Sequence, residues 1–331
     1  MRATLFFLFI LTSILSYSQN IDSLKSHVES SPDSEKFEVI LNYIRALVQK
    51  DPNASYRISE YALDFAEKSS DSLLIVKALY AQAFLLRRLG KESNAITVLG
   101  KAYGIAKRNN QGEQLSRILN LRAVSYTYTA NYDDALKANF ESLSLNERLG
   151  SIEQVGMTLN NIGLVYFKLR NAEEALKYYK KSLDAKKSIG STFDLDRLYI
   201  NMALCYNQLK MYKEAERLVE DAFLVCKENC SDEIVMSAEI SLAVSLFERG
   251  FIDSSLEHFQ KSLDIARKLN DSRFLMENLS NMAGNYLALG NPQKALVYLQ
   301  ESEAQMFMMR LMIMKSLLCI AKSTAICEIV F

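Results

Sequence analysis

A spacing of 40 residues recurs along this chain with almost no slippage, and it limits the possible folds more than any other feature. One register holds Tyr43, Ala83, Ala123, Gly163, Ala203, Ala243 and Ala283. Twelve positions later come Ser55, Ala95, Ala135, Ala175, Ala215, Ser255 and Ala295. Seven beyond those come Ala62, Ala102, Ser142, Ser182, Ala222, Ser262 and Ser302. Composition alone does not place small residues in three columns across seven copies. A fixed period of this length marks supersecondary units stacked into an array. Such arrays present extended binding surfaces, which favours recognition over catalysis.

The copy from Met157 to Ile189 shows what one unit contains. Leu159, Ile162, Gly163 and Tyr166 lie at helical spacing, as do Ala175, Tyr179, Ser182 and Leu183 after a short break. The break is Leu169-Arg170-Asn171, matched by Leu89-Gly90-Lys91, Arg249-Gly250-Phe251 and Leu289-Gly290-Asn291. Glycine there suits the left-handed residue that ends a helix. Pro52 and Pro292 share one column and follow Asp51 and Asn291, an N-cap with proline in the first turn. Each unit therefore reads as helix, tight turn, helix. The small columns let paired helices approach and the next unit dock. Tyr126, Tyr166, Tyr206 and Tyr286 form a fourth column that packs between helices.

Together these residues resemble a tetratricopeptide (TPR) array. The family pattern stands in Leu159-x-x-Ile162-Gly163-x-x-Tyr166 and Ala175-x-x-x-Tyr179-x-x-Ser182. Family units are usually about 34 residues long, so these copies are about six longer, like the variant in peptide-sensing bacterial regulators and exported sensor regions. The family's proline at the end of the second helix is absent, replaced by polar connectors such as residues 107–112. The resemblance covers residues 36–302 and implies an all-α, right-handed superhelical solenoid of about seven helix-turn-helix repeats in one elongated domain.

The two ends depart from the repeat. Met1-Arg2, the apolar run Ala3–Leu15 and Ser16-Tyr17-Ser18 read as a signal peptide over residues 1–18, with cleavage leaving Gln19 first. An uncleaved anchor is the competing reading. Residues 19–35 form a helical lead-in. Residues 303–331 lose the pattern and read either as an atypical capping helix or as a truncated, out-of-frame tail. Lys315 and Lys322 weaken a third reading, a membrane anchor. The expected location is exported, periplasmic or extracellular.

Little in the chain can do chemistry. Lys+Arg and Asp+Glu balance at 39 each, which excludes a strong overall field for nucleic acid or anionic membrane. The two histidines, His27 and His258, are far apart, and no nucleophile elbow, zinc-protease, P-loop or dinucleotide motif occurs. Asp133-Asp134 and Glu173-Glu174 open second helices, where they stabilise the positive helix end. Cys205 reads as a small core residue. Cys226 and Cys230 are disulfide candidates, four apart near a helix end, if the helix distorts to bring them together. The chain is expected to be no enzyme and to need no cofactor or metal.

What remains is the face of the first helices, which the resemblance assigns to peptide binding. Arg87, Arg88, Asn120, Asn160, Asn161, Lys168, Asn201, Asn207 and Asn281 are its candidates, with Lys77, Arg117 and Arg197 nearby. Asparagine amides donate and accept together and can clamp an extended backbone, while the cations suit a carboxylate. The expected partner is a protein or peptide segment, with no nucleic acid. Membrane association is expected only through an uncleaved signal peptide or a lost C-terminal anchor. The resemblance points to the sensory part of a bacterial signalling protein; the alternative is a freestanding periplasmic scaffold for envelope or secretion complexes.

Overall fold

The computed structural model describes residues 23–48, 50–269 and 272–307, and all regular structure among them is helical. Helix α1 spans 23–30. Then follow α2 (Lys36–Leu47), α3 (Pro52–Ser69), α4 (Ser72–Arg88), α5 (Glu92–Arg108), α6 (Gly112–Tyr128), α7 (Tyr132–Arg148) and α8 (Ile152–Lys168). After them come α9 (Ala172–Ser188), α10 (Leu195–Gln208), α11 (Tyr212–Cys226), α12 (Asp232–Glu248), α13 (Ile252–Leu269) and α14 (Ser272–Ala288). Helix α15 spans 292–307. The chain forms two compact units divided at Arg170/Asn171, within the repeat most legible in sequence. The signal-peptide reading and most of the atypical tail, residues 308–331, lie outside the described residues.

The period is now a property of the backbone. Helices α4, α6, α8, α12 and α14 start at 72, 112, 152, 232 and 272. Left-handed residues end the helices at matching points. Gly90, Ala130, Arg170, Lys210, Gly250 and Gly290 close the first helices, and Ser70, Asn110, Gly150 and Gly190 close the second ones, all with φ between 53° and 86°. The next N–H then bonds back across the last turn, as in Lys91 to the Leu86 carbonyl at 2.8 Å and Asn131 to that of Tyr126 at 2.8 Å. At the N-termini, Asp51 accepts from the Ala54 N–H at 2.9 Å with Pro52 in the first turn, and Asn291 accepts from the Lys294 N–H at 3.1 Å.

The small columns are buried throughout. Ala83, Ala123, Ala203 and Ala243, and Ala95, Ala135, Ala175 and Ala215, have no accessible surface. Helices carrying alanine where they cross can approach to the short end of the 8–10 Å range. Serines in these columns bond to a facing carbonyl: Ser55 to Ile44 at 2.9 Å, Ser255 to Ala243 at 2.8 Å. Ser262 touches both neighbours, donating to the Met236 carbonyl of α12 and accepting from Asn278 of α14. Leucines, isoleucines and valines fill the remaining core of the first unit, joined by Leu24 and Val28 of α1. In the second unit Phe259, Leu263, Leu279 and Met282 do the same. The tyrosine column is half-buried, and Tyr286 stacks on Tyr298 of α15 with centroids 5.4 Å apart.

Two departures from register sit in the second unit, and each has a local cause. Helix α10 starts three residues late, at Leu195, after Asp194 with φ 51°. The buried Lys186 of α9 donates to the Phe193 carbonyl at 2.5 Å and holds that loop. Helix α11 stops at Cys226, two residues short of the seventeen in α5, α7 and α9. Cys226 and Cys230 are paired there, with Cα atoms 4.8 Å apart. An undistorted helix holds residues four apart at roughly 6 Å. The chain closes the gap by leaving the helix, with Lys227 at φ 50° and a short 3-10 turn over Lys227–Asn229. The equivalent positions 70, 110, 150 and 190 carry left-handed residues, but Cys230 has φ −61°. The cross-link thus takes over the work of a left-handed helix stop.

Two predictions follow from this packing. Ala243→Leu, at a fully buried crossing between α12 and the Phe259 cluster, is expected to cost about 1–3 kcal/mol in urea unfolding through overpacking. A melt matching wild type would show that Ala243 does not sit at a helix crossing. A five-residue disulfide loop is worth about 2 kcal/mol of chain entropy, so Cys226→Ser with Cys230→Ser should lose that much. Cys226→Ala with Cys230→Gly, which restores the residue types found elsewhere in those columns, should recover most of it. Equal stability of the two double variants would refute the helix-stop role.

Candidate functional site

In the first unit α4, α6 and α8 stand side by side, so residues in the same column form rows across them. Positions separated by four, seven and eleven share one helical face. On α4 these are Lys77, Ala81, Phe84 and Arg88; on α6, Arg117, Leu121, Val124 and Tyr128; on α8, Met157, Asn161, Leu164 and Lys168. Leu121 is buried, and the rest are half-buried or exposed. Phe84 and Tyr128 stand out, 39% and 44% exposed despite their size. The face is a strip of apolar and aromatic groups bordered by cations.

Side chains between the rows tie the helices together. Arg87 pairs with Glu92 at 3.2 Å and lays its guanidinium 5.4 Å from the Tyr128 ring. Burial raises the Tyr80 phenol above its ordinary value, and the nearby charges of Arg117 and Arg87 offset part of that rise. Arg122 lies between the Tyr103 and Tyr126 rings, at 5.2 and 5.5 Å.

Two of the candidate residues do not reach a ligand surface. Asn120 is 8% exposed, and its Oδ1 accepts from Ser142 at 3.2 Å and Thr158 at 2.9 Å. It belongs to a buried polar cluster in which Ser116 also donates to Asn146 at 2.5 Å, and Asn146 donates to Ser142 and Thr158 at 3.2 Å. Asn207 is 7% exposed and donates to the carbonyl and hydroxyl of Ser241 at 2.8 and 3.0 Å, joining α10 to α12. Both amides tie helices together through one of their two polar atoms, while Asn120 Nδ2 and Asn207 Oδ1 are buried without a partner. Arg87 is largely committed to Glu92 and Tyr128. Arg88 and Lys168 are exposed; Asn160, Asn161, Asn201 and Asn281 are half-buried on first helices.

Sequence reasoning passed over Phe84 and Tyr128. For Tyr128 the signal was positional, since its column holds Arg88, Lys168, Gln208 and Glu248; Phe84 shares its column with Val124, Leu164, Leu204 and Val244, so only its exposure sets it apart. Asn139 and Lys186 were missed as well. Asn139 takes the column of Leu99, Tyr179, Val219 and Phe259, and both its amide atoms are buried without a partner.

Reactive groups are few and inert. The Cys205 thiol is buried, which pushes its pKa up to about 12, far from a nucleophilic thiolate. Burial likewise raises the Tyr179 phenol well above its ordinary value. His258 and Glu239 meet at 2.6 Å, pinning α13 to α12. Among the described residues no group of three or more His, Cys, Asp or Glu is arranged to hold a metal ion.

Comparison with known proteins agrees with this architecture. No curated protein matches the chain. Solved structures match widely in fold. A Rap protein complexed with competence and sporulation factor superposes with TM-score 0.68 at 14% identity, over 86% of this chain and 78% of that one. The apo form of RapI gives 0.65 at 12% identity, over 82% and 98%. NprR in complex with its cognate peptide NprX gives 0.63 at 17%, over 88% and 84%. At these identities the likeness speaks for the fold. The sequence itself matches the tetratricopeptide repeat model over residues 114–188, 154–228 and 235–306, more than half of its length. With stacked helix pairs, buried small columns and this match in agreement, the chain belongs to the tetratricopeptide repeat family.

Proposed function

We propose that this protein is an exported, non-enzymatic scaffold that holds a protein or peptide segment against its first helices, as the sensory part of a signalling protein. The observation that carries the reading is the strip on α4, α6 and α8: adjacent helices, columns in register, and large aromatic and cationic side chains left accessible. Phe84 and Tyr128 keep 39% and 44% of their surface accessible on this face, and recognition surfaces are rich in such groups. Two structures of similar fold hold competence and sporulation factor and the peptide NprX, which supports a segment of chain as the ligand. Export is supported by the basic-apolar-small order of residues 1–18 and by the Cys226–Cys230 pair, since disulfides persist in oxidising compartments.

Two measurements test this. Selection from a display library of random dodecapeptides on the exported protein should enrich binders, and Asn161→Ala with Lys168→Ala, both on the strip, should weaken them while leaving the melting temperature close to wild type. Binders unaffected by those changes would remove the α8 part of the strip from the site. Intact-mass analysis of the protein expressed from its full reading frame should give a chain beginning at Gln19; retention of Met1 in a membrane fraction would replace cleavage with an anchor.

A further inference from the structure

The first helices of the two units carry opposite charge. In the first unit, α4, α6 and α8 hold six cations, Lys77, Arg87, Arg88, Arg117, Arg122 and Lys168, against two acids, Glu113 and Glu153. In the second, α10, α12 and α14 hold six acids, Asp196, Asp232, Glu233, Glu239, Glu248 and Glu277, against Arg197 and Arg273. This inversion is invisible in a chain whose charges balance at 39 each.

Position sharpens the contrast. Glu113 and Glu153 lie in first turns, where the helix N-terminus favours them, on the same face but one turn beyond the border that holds Lys77 and Arg117. The rows themselves carry Lys77 and Arg117 along one border and Arg88 and Lys168 along the other, with Phe84 between them and no acid. Neither Lys77 nor Arg117 enters an ion pair among the described residues. In the second unit the same rows carry Glu248 and Glu277, and their one described cation, Arg197, is paired with Glu233 at 3.1 Å.

We infer that the face of the first unit selects an acidic segment, with carboxylates at the two cationic borders and an apolar side chain over Phe84. This rests on the reading that first-helix faces bind the ligand. The borders lie eleven residues apart along each helix, about 16 Å. An extended chain crosses that distance in about five residues, so the acidic positions should be spaced accordingly. Complementary charge of this kind sets selectivity and association rate more than raw affinity.

The library selection decides the matter when read for composition. Enriched peptides should be acidic, with Asp or Glu about five positions apart, and should bind roughly tenfold more weakly to Lys77→Glu with Arg117→Glu. Lys77→Gln with Arg117→Gln, which removes charge without reversing it, should give an intermediate loss. Glu248→Lys with Glu277→Lys, in the other unit, should leave those peptides within about twofold of wild type. Enrichment of neutral or basic peptides would overturn the charge inference and leave the binding face standing. Equal loss on reversing charge in either unit would overturn the assignment to the first unit. No enrichment at all would overturn both this inference and the function on which it rests.

Discussion

Close approach of helices at small side chains is the constraint on which everything else in this fold depends. A small residue at nearly every crossing, alanine or serine in most repeats and Gly163 in one, brings neighbouring backbones together, and the same neighbours recur at most periods because most helices keep one length. Each repeat contacts its neighbours and little beyond them, so stability accrues repeat by repeat. The left-handed residues at Ala130, Arg170 and Lys210 show how firm the constraint is. Those conformations are unfavourable for residues with a Cβ, yet the chain adopts them where Gly90, Gly250 and Gly290 serve elsewhere. Register outranks local preference.

One column shows what happens when the rule is relaxed. At the end of the second helices, Ala66, Ala106 and Ala266 are fully buried, and the intervening positions hold Asn146, Lys186 and Cys226. Each larger residue comes with its own rearrangement. Asn146 gathers Ser116, Ser142 and Thr158 into a polar cluster. Lys186 reaches the Phe193 carbonyl and delays α10. Cys226 bonds to Cys230 and shortens α11. A buried polar group left unpaired costs roughly 1–3 kcal/mol, so each departure obliges the adjacent loop or helix to supply a partner. The late start of α10 and the early end of α11 thus both accompany a larger residue at one repeated site.

The same logic explains what could be read from the sequence and what could not. The period, the small columns, the Asp51-Pro52 and Asn291-Pro292 starts and the glycine turns are local, and each appears in the structure where the spacing put it. The disulfide pair was legible, but the way α11 ends to accommodate it was not, since that depends on a backbone leaving its helix. Asparagines were the weak point. Asn120 and Asn160 occupy one column, yet Asn120 is buried by partners on α7 and α8 while Asn160 stays half-exposed. Periodicity fixes which way a residue points, and the volume of its neighbours fixes whether anything can reach it.

Charge is the case where a whole-chain quantity misleads most. Balanced totals exclude a strong field at long range, and that conclusion stands. Screening in physiological salt acts over about 8 Å, however, so a docking segment feels the charges of the face it touches and few others. Four rows with four cations and no acid are therefore electropositive to a ligand lying across them, whatever the second helices carry. Because Lys77 and Arg117 enter no ion pair among the described residues, changing them can alter ligand preference without breaking the ion pairs that hold the helices. In a repeat array, where each surface position recurs in a column, selectivity can thus be revised one helix at a time while the buried columns keep the fold.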